Sequence, residues 1–233
     1  MCSVSVESAP RRALRGWVIA VALVLPGVAS AWQLPARHAL RRSAAALATP
    51  PRTTGFEVAL HGHARERSGD GTTPLALRWV FDRATRAAAV AWRDGRGKAM
   101  TWRRGEPPPG TERTGPSAAE VWVLPRLFAD GDPAGLATAL GVDGERRHLA
   151  LLGERVAEVL GAERGARDVP QIWLDHETHR PLRVVFRGSD GIWTRLDLLD
   201  WAGPVFPRRV VVSEGARWLR TYEAEPPRPR GAP

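Results

Sequence analysis

Val169-Pro170-Gln171-Ile172-Trp173-Leu174-Asp175, then His176-Glu177-Thr178-His179-Arg180-Pro181, then Leu182-Arg183-Val184-Val185-Phe186-Arg187: this stretch decides the fold. A second turn follows at Gly188-Ser189-Asp190-Gly191, and a third run at Ile192 to Trp201. Short runs of β-branched and aromatic residues, separated by polar turns of the Asp, Gly and Pro type, make antiparallel strands of a meander. No catalytic signature stands on them.

The same period of two appears upstream. Phe56, Val58, Leu60 and Gly62 alternate with Glu57, Ala59, His61 and His63. Leu75, Leu77, Trp79 and Phe81 follow the Ser68-Gly69-Asp70-Gly71 turn; Ala88, Val90 and Trp92, then Met100 and Trp102, complete four strands. One face of each strand is large and apolar, and the other often carries Ala or Val. A sheet apolar on one face and partly so on the other is expected to curl. Downstream, His148 to Leu152, Arg155 to Gly161, Val205 to Ser213 and Trp218 to Tyr222 read as further strands.

Three segments break the pattern. Pro35 to Ala48 has the helical period, with Leu40 and Leu47 among Ala36, Ala39 and Ala44, and with Arg37, Arg41 and Arg42 on the other side. Ser117-Ala118-Ala119-Glu120 is a capping box that opens a helix carrying Val121, Leu124, Leu127 and Phe128, with Pro125 expected to kink or divide it. Asp132-Pro133 starts another helix that Gly141 ends.

Hydrophobic residues make up 43% of the 233, enough for a real core. The net charge is +9, and Lys98 is the only lysine. The arginines are scattered among 25 acidic residues, without the basic block of a nucleic-acid arm. At the N-terminus, Arg11-Arg12 and Arg15 precede an apolar run from Trp17 to Val28, then Ala29-Ser30-Ala31. That order is the pattern of a secretory signal peptide, expected to be cleaved after Ala31. The run is short for a membrane span, which leaves an uncleaved anchor as the other reading. Residues 1–31 are therefore read as a signal peptide, 32–225 as a single domain, and 226–233 as a disordered Pro/Arg tail. The mature chain would be soluble and periplasmic, without a transmembrane segment, by a Sec or twin-arginine route.

Few residues invite chemistry. His61 and His63 share a strand face, and Asp175, His176, Glu177 and His179 share a turn, so either could hold a metal or be ordinary surface and turn polarity. Asp175, Asp197 and Asp200 sit on adjacent strands but lack other support as a catalytic pair. Nucleotide, P-loop, zinc-protease and nucleophile-elbow motifs are absent, so neither an enzyme nor a cofactor is expected. Trp79, Trp92, Trp102, Trp173, Trp193, Trp201 and Trp218 fall on strands, where they pack a core or line a cavity for an apolar ligand.

Ile172-Trp173-Leu174-Asp175, Thr178 and Pro181-Leu182-Arg183 resemble the W-L-D-x-x-T-x-x-P hairpin of the LolA-like family of periplasmic lipoprotein carriers. Gly153-Glu154-Arg155-Val156, Phe206-Pro207-Arg208-Arg209-Val210 and Gly215-Ala216-Arg217 fit its flanking strands, and the order of elements is similar over the mature chain. The resemblance implies an α+β fold: a curved, incomplete antiparallel β-barrel with helices as a lid on the concave side. It implies a cavity for a lipid or lipoprotein acyl chain, with candidate lining from Leu77, Trp79, Phe81, Trp92, Trp102, Val121, Leu124, Phe128 and Trp173. In lipoprotein carriers an arginine on an early strand ties the lid shut, and Arg78 lies on such a strand. The partners implied are an acyl chain and a membrane-associated protein. A protein-interaction or sensor module with a filled core is the alternative use of the same scaffold.

Overall fold

The computed structural model describes residues 35–48, 54–69, 71–109, 114–203 and 205–230. The signal-peptide segment lies outside them. Helix α1 (Ala36–Leu47) precedes four strands, β1 (Gly55–Glu66), β2 (Thr72–Asp82), β3 (Ala87–Arg93) and β4 (Ala99–Arg103). Helices α2 (Ala118–Phe128) and α3 (Pro133–Leu140) follow. The rest is β5 (Arg147–Leu152), β6 (Arg155–Leu160), β7 (Gln171–Asp175), β8 (Pro181–Arg187), β9 (Trp193–Leu199), β10 (Arg209–Glu214), β11 (Trp218–Ala224) and β12 (Arg228–Arg230).

All strands join one antiparallel sheet in the order β4-β3-β2-β1-β11-β10-β9-β8-β7-β6-β5, with β12 also paired to β1. Two meanders thus meet where β1 pairs with β11, Gly62 opposite Tyr222. Gly62 is required there: a Cβ would lie 1.9 Å from the Thr221 carbonyl oxygen. The sheet does not close, since β4 and β5 remain its two ends. It does curl. β4 and β8 stand seven strand steps apart, about 33 Å in a flat sheet, yet Trp102 and Phe186 border one groove beside α2. The architecture is a curved, incomplete antiparallel barrel with helices packed on its apolar face.

The proline-rich end differs from its expectation as a disordered tail. Glu57 pairs with Arg228 and Gly55 with Arg230. β1 extends beyond the end of β11, so its first residues offer free backbone groups that β12 takes up.

The core collects the apolar face of the strands and one side of each helix. Phe56, Phe81, Phe128 and Phe206 form its centre, with Phe128 and Phe206 rings 4.6 Å apart and Phe81 and Phe128 5.6 Å apart. Trp79 stacks on Phe81 at 5.4 Å. α1 buries Ala36, Ala39, Leu40, Ser43 and Leu47, while Arg37, Arg41 and Arg42 are exposed. α2 carries the capping box at Ser117 and Glu120. Pro125 stays inside α2, which runs on to Phe128. α3 begins with Asp132 as cap and Pro133 at its first turn, and ends at Gly141 in the left-handed region, φ 70°.

Candidate functional site

Of the nine candidate lining residues, Trp79, Phe81, Leu124 and Phe128 are fully enclosed in the core. Phe81 packs against both Trp79 and Phe128, and rings from β2, α2 and the Phe206 segment meet in the curve of the sheet. Trp102 and Val121 instead border a groove of about 510 Å³. Its apolar walls are Trp102, Val121, Trp122, Pro125, Leu140 and Phe186. The volume is that of a small-ligand site. Trp122 of α2 faces Phe186 of β8, ring centroids 5.7 Å apart. Arg104, Arg126 and Arg187 border the same groove, as do Glu106, Asp190 and Glu214.

Leu77 and Trp92 border a second, wider concavity of about 1130 Å³. Ala59, Ala76 and Ala91 line it, together with exposed Arg78 paired to half-buried Glu57 at 2.9 Å. Leu75 and Met100 join Leu77 and Trp92 as its larger apolar side chains. Trp173 parts company with the rest. Ile172 and Leu174 are buried in the core, so alternation turns Trp173 to the other face of the sheet. There it lies under the Arg183 guanidinium, 4.9 Å from the ring centroid. The Gln171 to Asp175 alternation contained that signal.

Arg78 does not tie the helices, being exposed on the outer face with Glu57. Three other arginines do. Arg83, in the turn after β2, donates to the carbonyl of Phe128 at 3.1 Å and to that of Leu47, joining the C-terminal ends of α2 and α1. Arg104, just past β4, makes a two-pronged pair with Asp130 after α2, its second bond 2.8 Å. Arg220 of β11 donates to the carbonyl of Gly115, ahead of α2. Removing Arg83 leaves two half-buried helix-end carbonyls without their donor. Arg83→Ala should cost about 2–3 kcal/mol in urea unfolding, whereas Arg78→Ala should stay within about 0.5 kcal/mol.

Arg220 belongs to a buried polar cluster under α2. The Glu120 carboxylate accepts from the Ser117 backbone at 2.8 Å and from the Tyr222 hydroxyl at 3.3 Å. Arg220 stands 4.0 Å from both Glu120 and Glu214. Burial pushes the Glu120 carboxyl above its ordinary 4.5, opposed by Arg220. Burial likewise raises Glu214. A carboxyl with a raised folded pKa binds more protons folded than unfolded. Its contribution is therefore complete at low pH and declines as pH rises through 4.5 toward the folded value. Glu120→Gln keeps the capping bond and removes this titration. The variant should lose less melting temperature than the parent between pH 4.5 and neutrality; equal slopes would exclude Glu120 as the source.

The polar candidates have structural work. Asp175 accepts from the backbones of Glu177 at 3.1 Å and Thr178 at 2.8 Å, and pairs with Arg155 at 2.9 Å. Those bonds shape the β7–β8 turn, in which His179 has φ 57° and contacts Arg42 at 3.2 Å. His61 meets Glu225 at 3.2 Å. Asp197 is held by Arg183 and Arg195, and Asp200 by Arg209. Among the described residues no group of three His, Cys, Asp or Glu could hold a metal ion. No described helix is long and apolar enough to cross a membrane.

No family model matches the sequence, and no curated protein matches it. Solved structures do. A LolA superfamily protein from Nitrosomonas europaea superposes with TM-score 0.53 at 11% identity, over 86% of this chain and 96% of that one. A domain from Vibrio parahaemolyticus named for outer membrane lipoprotein sorting gives TM-score 0.42 at 13% identity, over 84% and 92%. A DUF1329 family protein from Desulfovibrio piger gives 0.44 at 9%, over 84% and 94%. With the first covering most of both chains, the chain has the fold of a LolA superfamily protein.

Proposed function

We propose that this chain is a non-catalytic periplasmic protein that binds an apolar ligand, a lipid or a lipoprotein acyl chain, beside α2. The observation that carries the reading is the groove of about 510 Å³ walled by Trp102, Val121, Trp122, Pro125, Leu140 and Phe186. The sequence adds a secretory signal pattern ahead of the fold. Binding takes place at the flank of the helices, not within the curve of the sheet, because Phe56, Phe81, Phe128 and Phe206 occupy that space.

That filled centre favours a second reading, a protein-interaction or sensor module. Gentle purification followed by mass spectrometry of an organic extract separates the two. The binding reading expects co-purified lipid and saturable uptake of a fluorescent fatty acid by the stripped protein. Absence of both would leave the module.

A further inference from the structure

Among the described residues, two guanidiniums at the groove form no direct ion pair, although the Asp130 charge acts on one of them, Arg126. Arg126 of α2 is half-buried, lies 4.1 Å over the Trp122 ring and donates to the Trp122 carbonyl at 3.0 Å. Arg187, next to Phe186 at the end of β8, donates its Nε to the Gly191 carbonyl at 2.8 Å. Neither has a carboxylate within ion-pair distance among the described residues. The third guanidinium, Arg104, is already engaged by Asp130.

The carboxylates of the groove are engaged elsewhere. Glu106 accepts from the Arg103 backbone at 2.8 Å. Asp190 accepts from the Ile192 backbone at 3.0 Å. Glu214 faces Arg220. Glu106 and Asp190 keep their charge, but neither is in direct ion-pair contact with half-buried Arg126 or exposed Arg187, which flank the Trp122–Phe186 pair. Burial, reinforced by Arg104 and opposed by Asp130, holds the Arg126 guanidinium below its ordinary range.

We propose that the ligand of this groove is a single-chain amphiphile with an anionic head, its chain along Trp122 and Phe186 and its head between Arg126 and Arg187. The assignment rests on the reading that the groove binds an apolar ligand, and adds its chemical class. A guanidinium is a flat, weakly hydrated fork that matches carboxylate or phosphate oxygens. An anion there relieves a partly desolvated charge that water serves poorly. The aromatic pair supplies the contact for the chain.

The test uses the full chain and displacement of the neutral probe N-phenylnaphthylamine by palmitate, palmitoyl lysophosphatidate and palmityl alcohol. The better of the two anions should bind at least about tenfold tighter than the alcohol. Which anion leads identifies the head as carboxylate or phosphate, and either supports the assignment. In the double variant Arg126→Met, Arg187→Met the anion-to-alcohol ratio should fall to about one. Equal binding of alcohol and anions by the parent, or a ratio that survives the double variant, overturns the anionic head while leaving the groove as an apolar site. If neither anion nor alcohol displaces the probe, the binding reading falls and the head assignment with it.

Discussion

Arg220→Met is expected to lower stability in urea unfolding by about 3–5 kcal/mol. The side chain is 5% exposed and its charge faces Glu120 and Glu214, each 4.0 Å away. Methionine fills a similar volume but leaves a fully buried carboxylate without a cation. It also removes the donor to the Gly115 carbonyl that fixes the entry to α2. Adding Glu120→Gln should recover part of the loss, because the orphaned charge disappears and the capping bond to Ser117 remains. A loss below about 1 kcal/mol in the single variant would mean that the cluster is solvated and does not anchor the helix.

The second large effect belongs to the groove. Trp122→Asp should weaken uptake of a fluorescent fatty acid by at least about tenfold, since it removes an aromatic wall and places a carboxylate beside the chain. Trp122 is only partly buried, so the fold should survive, as far-UV circular dichroism would show. Phe128→Asp has the opposite profile. Phe128 is fully enclosed among Phe56, Phe81, Trp201 and Phe206, so a charge there should unfold the chain. Unchanged uptake by Trp122→Asp would remove the groove from the binding site.

Much of the fold was legible because its signals are local. Alternation in Phe56 to Leu60 and Leu75 to Phe81 reports one buried face per strand, and the observed burial follows it. Ser117 with Glu120, Asp132 with Pro133, and Gly141 mark helix ends through bonds that span a few residues. β12 escaped because Arg228-Pro229-Arg230 has no strand signature; its partner, the free start of β1, supplies the pairing.

The candidate site was legible only in fragments. Large apolar residues on β2 and α2 fit a core and a cavity equally well, and only three-dimensional packing shows that Phe206 enters from another segment and closes the space. Trp122 and Phe186 meet across many residues and carry no shared motif. The same holds for Glu120 with Arg220 and Tyr222, which β11 brings beneath α2. Arg83 was hidden for a different reason. It sits in a turn, where an arginine looks like solvated polarity, until two helix ends converge on it.

The most direct measurement is photo-crosslinking with a diazirine-bearing fatty acid, followed by peptide mapping. Binding beside α2 predicts saturable labelling confined to residues 102–108, 118–126, 139–140 and 186–194, competed by unlabelled palmitate and reduced in Trp122→Asp. Labelling centred on the outer face, around Ala59, Ala76 and Ala91, or labelling that does not saturate, would contradict it.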